Sequence, residues 1–268
     1  MTEPLPRDVA VALSARPGLA GCSFHYASIM TSTNEHAALL AASGVTNGTT
    51  VIADRQTAGR GRRGHSWHSP PGVGLYMSVI LRQEYSPVVT LLAGVVVAES
   101  VRALTGVAVE LKWPNDIIVR NSSSVRTTDT VRKVAGILAE VLPFESGRGM
   151  VLGIGVNVGS STLPAELVMT ATSLKALSGR SISRWSLCAD IRVRLDQWLL
   201  QFSTSGPRSI IERWQTLAPT SQGTMVSWDD ADVRLHGRTA GIDPAGALLV
   251  VCDGSIKRII GGELVWEL

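Results

Sequence analysis

Asp54-Arg55-Gln56-Thr57-Ala58-Gly59-Arg60-Gly61-Arg62-Arg63-Gly64-His65-Ser66-Trp67 is the stretch from which the rest of the chain can be read. Three glycines and four arginines fall within ten residues, directly after the apolar run Thr50-Val51-Ile52-Ala53. Glycine allows positive φ and close approach of a ligand to the backbone. Successive N–H groups in such a turn form an anion-binding nest. Arginine adds positive charge and a forked donor suited to phosphate. The stretch therefore reads as a loop for a phosphorylated or carboxylated ligand. A solvated basic loop or a nucleic-acid patch has the same composition. The Walker pattern G-x-x-x-x-G-K-[ST] is absent.

Working outward, 268 residues suffice for one sizeable domain and a small one. A net charge of +3 permits an anionic ligand without demanding nucleic acid. Cys22, Cys188 and Cys252 have no C-x-x-C spacing, so the reading is three reduced thiols in a cytoplasmic protein. No signal peptide is evident, and the apolar run 88–98 is shorter than a bilayer span.

Residues 1–22 read as a loose leader with one weak helical turn and no room for a helix-turn-helix domain. A strand is expected at 24–30. Ser32-Thr33-Asn34-Glu35 reads as a capping box opening a helix through Ala41, with Gly44 beyond it. Strands follow at 49–53 and 74–82, the latter alternating and half-buried. Pro87 suits the first position of a long helix ending near Leu104. Strands are expected at 109–112 and 117–120, with a polar hairpin tip at 121–130. Residues 133–142 and 150–158 read as neighbouring central strands, then a polar loop at 159–173, then helices at 185–202 and 209–217. From Ser221 short strands separated by Gly, Asp and Pro read as a small β-barrel or meander. Two domains are expected, 1–219 and 220–268.

Three further motifs carry chemistry. In Lys112-Trp113-Pro114-Asn115-Asp116, proline holds Trp113 extended beside an Asn and an Asp. That fits an apolar wall next to polar groups, and equally a core tryptophan in a tight turn. In Arg132-Lys133-Val134-Ala135-Gly136-Ile137-Leu138-Ala139-Glu140, a lysine enters an apolar strand. It is either paired or ligand-bound, or an edge lysine reaching solvent. Gly153-Ile154-Gly155-Val156-Asn157 puts two glycines on one strand face, leaving a slot for a flat ligand or for simple packing.

In order and content these motifs resemble the biotin protein ligases, from Met30 to Val158 and more weakly at Gly241-Ile242-Asp243 and Gly261-Gly262-Glu263. The resemblance implies an α+β fold: a central mixed β-sheet with helices packed on one face, like class II synthetases and lipoate ligases, plus a small C-terminal SH3-like β-barrel. It implies ATP and biotin as substrates, Mg²⁺, and a biotin carboxyl carrier domain of an acyl-CoA carboxylase as partner. Some members carry an N-terminal DNA-binding domain; here the expectation is the monofunctional kind, with no DNA and no membrane as partners, and a homodimer is allowed. Biotin falls to Ser32, Thr33, Asn34, Gln56, Arg60, Gly61, Arg62, Trp113, Lys133 and Gly155. ATP or the adenylate falls to Arg60, Arg62, Arg63, Trp67, Asn115, Lys133 and Asn157. Lys133, Arg62 and Asp116 are the expected catalytic residues, with Asp116 also the candidate metal ligand. The rival readings are a lipoate ligase, a nucleic-acid-binding module and a binding-only protein.

Overall fold

A computed structural model describes residues 3–16, 22–82, 86–121, 130–144, 147–160, 163–230 and 233–267. A seven-stranded mixed sheet has the order β1-β2-β3-β7-β6-β5-β4. Its strands are β1 (Phe24–Met30), β2 (Thr50–Gln56), β3 (Gly74–Leu81), β4 (Glu110–Lys112), β5 (Asp116–Asn121), β6 (Thr130–Phe144) and β7 (Gly147–Asn157). Only β1 and β2 pair in parallel; the other neighbours are antiparallel. The expected tip joining β5 to β6 lies outside the described residues.

One face of this sheet is covered by α3 (Pro87–Thr105), α5 (Arg184–Ser205) and α6 (Arg208–Leu217). Helix α3 starts with Pro87 behind a Ser86 side chain that accepts from Val88 N–H, and it stops at Gly106 with φ +74°. It is apolar and long enough to cross a membrane by composition, but 72% of that stretch is buried inside the protein. It is a core helix. The N-terminal segment is more than the expected weak turn. Helix α1 (Arg7–Ser14) buries Val9 and Leu13, and its Asp8 accepts a 2.8 Å bond from Trp185 Nε1 on α5.

The other face carries α2 (Thr33–Ala42), which packs Ala37 and Ala41 on Val51, Ile80 and Val151. The helix covers only part of that face. Strand β3 is therefore buried on both sides, not on one as its alternation suggests. Tyr76 looks out under the uncovered part, where the cleft lies, and Ser78 is buried beneath the start of α2.

After the short helix α4 (Leu174–Ser178), α5 and α6, the chain enters a second sheet. Its antiparallel order is β11-β10-β9-β8-β12, from β8 (Gln222–Asp230), β9 (Val233–Ile242), β10 (Leu248–Cys252), β11 (Ser255–Ile259) and β12 (Val265–Trp266). Hydrogen bonds among the described residues tie it to the larger unit. Trp113 Nε1 donates to Gly246 O at 3.1 Å, and Ile242 N donates to Gln215 Oε1 at 3.0 Å.

Candidate active site

The arginine stretch leaves β2 and closes on itself. Arg60 and Ser66 form an antiparallel bridge; Gly61 N–H donates to His65 O at 2.7 Å and Trp67 N–H to Gly59 O at 2.8 Å. Arg63 and Gly64 form the tip at φ +54° and +78°. Gly59 is required by space, because a Cβ there would lie 2.5 Å from Trp67 O. The arginines then diverge. Arg62 Nη1 donates to Asn115 Oδ1 at 3.2 Å, Arg60 lies 3.6 Å from Glu140, and Arg63 lies 3.8 Å from Glu263, just before β12.

Beneath the loop lies a narrow inner compartment. Ser32, Thr33 and Asn34, at the start of α2, are nearly fully buried in its floor. Ser32 does not cap the helix with its side chain; the expected capping box is replaced by a 2.6 Å bond from Thr31 Oγ1 to Glu35. Gln56 Oε1 accepts from Thr33 N–H at 2.7 Å, and Gln56 Nε2 donates to Ser69 Oγ at 2.9 Å. Ser78 Oγ stands 2.8 Å from Thr33 Oγ1 and 2.6 Å from Asn34 Oδ1. These fixed polar groups face a slot whose apolar lining comes from Trp67, Ile137, Leu138 and Ile154.

Three glycines make the slot. Gly136 and Gly155 are direct cross-strand partners on β6 and β7, and Trp67 lies on both: added Cβ atoms would come 3.2 and 2.6 Å from its indole. A Cβ on Gly153 would strike Asn34 Oδ1.

A wider outer compartment adjoins the first and shares Trp67 and Lys133 with it. Lys133 Nζ lies 2.6 Å from Asp116 Oδ1 and 5.3 Å from the Trp67 ring centre. The 163–173 loop is stitched to the same residue, with Lys133 N–H donating to Thr170 O at 2.7 Å and Thr172 N–H to Lys133 O at 2.9 Å. Asn157, Tyr76, His68 and Lys112 add polar groups, and Trp266 arrives from the second sheet. Burial lowers the proton affinity of Lys112, and Asp116 partly opposes that. Burial raises the Tyr76 phenol above its ordinary range.

The structure brings most of the expected residues together. Ser32, Thr33, Asn34, Gln56, Arg60, Gly61, Arg62, Lys133 and Gly155 line the inner compartment, and Asp116 and Asn157 the outer one. Asn115, expected beside the nucleotide, lines the inner compartment. Two expected residues are not brought in. Trp113 is 3% exposed, packs in the core and bonds Gly246, so it is no wall of the slot. Arg63 points to Glu263 and lines neither compartment. Sequence reasoning missed Ser78, whose place in an alternating strand suggested solvent, and Glu140, read only as part of a motif.

Residues 26–157 match the biotin/lipoate A/B protein ligase family, and residues 225–265 match the biotin protein ligase C-terminal domain. The biotin–[acetyl-CoA-carboxylase] ligase of Mycobacterium tuberculosis is 35% identical over 245 residues, covering 87% of this chain and 85% of that protein. The chain belongs to the biotin protein ligase family. A second member, the bifunctional ligase/repressor BirA of Bacillus spizizenii, is also 35% identical, over 89% of this chain and 72% of that protein. Among solved biotin protein ligases, the one from Aquifex aeolicus in complex with biotin and ATP superposes with a TM-score of 0.77. It is 27% identical, covering 91% of this chain and 98% of that one.

No group of three or more His, Cys, Asp or Glu side chains able to hold an ion occurs among the described residues. Asp116 is the carboxylate lining the outer compartment, and its Oδ1 is engaged by Lys133.

Proposed function

We propose that this chain activates biotin with ATP and transfers the biotinyl group to a lysine of a carrier domain of an acyl-CoA carboxylase. The observation that carries the reading is the position of Lys133, at the junction of a narrow compartment floored by Ser32, Thr33, Asn34 and Gln56 and a wider one. Ser32, Thr33, Asn34 and Gln56 offer donors and acceptors for the ureido group, and the glycine floor accommodates the flat ring system. The carboxylate of the valerate tail then faces Lys133 and Arg62.

In the first step a carboxylate oxygen attacks the α-phosphorus of ATP. The bond to the β-phosphate oxygen breaks, and pyrophosphate leaves with the electron pair. Lys133, Arg60 and Arg62 offset the repulsion between the two anions and stabilise the charge that builds up. Asp116 is the carboxylate of the outer compartment that would lie beside Mg²⁺ brought in with ATP, and the ion would supply neutralisation of the leaving group. The loop over the slot, with Trp67 as its inner surface, keeps water from the mixed anhydride. In the second step a carrier amine attacks the acyl carbon and AMP leaves. Asp116 orients that amine and takes its proton. The reading puts the reaction in the cytoplasm.

The test is incubation of the purified chain with ATP, Mg²⁺ and a carrier domain, with biotin in one arm and lipoate in the other. A mass gain on the carrier with biotin supports the reading. A gain with lipoate alone, or none with either, overturns it.

A further inference from the structure

Glu140 lies on β6 beyond Gly136 and has two partners in different parts of the site. Its Oε2 accepts from Asn34 Nδ2 at 2.6 Å, and its Oε1 stands 3.6 Å from Arg60 Nη1. Its side chain is 35% exposed and that of Arg60 51%. We propose that Glu140 is a positioning residue that couples the floor of the inner compartment to the arginine loop; this rests on the biotin-ligase reading above.

The argument starts from what a carboxylate can do. It only accepts, so it compels the amide of Asn34 to turn its NH₂ toward β6. That leaves Asn34 Oδ1 facing Ser78, at 2.6 Å, above Gly153. Ser78 in turn lies against Thr33 Oγ1, which donates to Gln56 Oε1 at 3.1 Å. One carboxylate thus sets the donor and acceptor pattern from β6 across to the end of β2, the pattern a urea would read. The same group is the ion-pair partner of Arg60. Its second oxygen holds that cation over the compartment floor. Exposure makes the pair weak by itself, so it acts by biasing a loop and not by stabilising the fold.

The two roles separate by substitution. In Glu140→Gln the amide oxygen still accepts from Asn34, but no charge faces Arg60. In Glu140→Ala both are lost. Steady-state kinetics and hydrolysed biotinyl-AMP are measured for both variants and the parent, without carrier for the second readout. Glu140→Ala should raise the KM for biotin about tenfold or more, and Glu140→Gln should bring it back to within about threefold of the parent. Arg60→Ala should release adenylate, because it frees the loop from the floor, and both Glu140 variants should release it as readily. The double variant Glu140→Gln/Arg60→Ala should release no more than Arg60→Ala, because the two residues act as one unit.

A parental KM in Glu140→Ala overturns the floor role. Parental retention of adenylate in Glu140→Gln, or additive release in the double variant, overturns the coupling. A parent that makes no adenylate overturns the underlying reading instead, which the parent alone decides.

Discussion

Lys133 Nζ lies 2.6 Å from Asp116 Oδ1 across the β5–β6 pair, and a bulge puts it there. Ile117 pairs with Ala135 but Ile118 pairs with Lys133, so Val134 is an extra residue. Val134 and Ala135 are both in the core, and alternation resumes with Ile137 inward and Gly136 toward the cleft. In a regular strand Lys133 would share the face of Ala135 and Ile137. The bulge turns it to the cleft.

That pairing separates two roles by mutation. Lys133→Ala should slow biotin-dependent exchange of pyrophosphate into ATP by about 10²-fold or more, since a preorganised cation at the reacting phosphate is lost. Asp116→Asn should slow transfer from preformed biotinyl-AMP more than it slows the exchange. Equal slowing of the two steps would reduce Asp116 to a support for Lys133.

How much of this was legible beforehand follows from particular residues. The bounds of β1 and β10 were readable because polar or glycine residues stand at or near their ends, Ser23 and Thr31 around the first and Gly246 and Asp253 around the second. The cleft residues on α2 and in the arginine loop were readable through motif order. The bulge at Val134 was not, because Lys-Val-Ala-Gly-Ile has the same composition with or without it. Ser78 was hidden by a general rule: a serine in an alternating strand usually faces water, but here α2 and Asn34 lie over it. Trp113 was misplaced because a rigid tryptophan beside Asn115 and Asp116 suits a cleft and a core equally. Its indole bond to Gly246, 133 residues away, decides for the core.

The glycines of the slot should fail in different patterns. Both line the inner compartment, but in Gly155→Ala the new methyl group would sit 2.6 Å from the indole of Trp67, which lines the outer compartment as well. In Gly153→Ala it would strike Asn34 in the inner floor. The first should raise the KM for biotin and for ATP about tenfold or more; the second should raise the KM for biotin by as much and leave that for ATP within about threefold of the parent. Steady-state titration of each substrate checks this. A large rise in the KM for ATP in Gly153→Ala would show that the slot is not divided as described.

Trp113→Phe is expected to act on stability and not on substrate. The change keeps most of the buried ring surface but leaves the Gly246 carbonyl without its 3.1 Å donor. The cost should be about 1 kcal/mol in urea unfolding, with the KM for biotin within about twofold of the parent. A large rise in that KM at unchanged stability would restore Trp113 to the slot.

Lys112 supplies a dependence on pH. Burial lowers its proton affinity below the ordinary lysine value of 10.5, Asp116 opposes this, and Lys133 adds to it. Between the lowered folded value and 10.5 the unfolded chain holds the proton more firmly than the folded one. Stability of the parent should therefore rise with pH through that interval. Below the interval the charged form is penalised in full; above 10.5 the penalty is gone. Lys112→Met keeps an aliphatic stem near Trp266, whose ring centre lies 5.7 Å from Nζ, and has no charge to bury. Its melting temperature relative to the parent should be highest near neutrality, and the gap should narrow as the pH climbs toward 10.5. ATP should flatten the rise in the parent, because phosphates in the outer compartment favour the ammonium form. Melting curves of both proteins across the alkaline range, with and without nucleotide, make the comparison. Parallel curves would mean that Lys112 is solvated in the folded state and contributes nothing to the pH response.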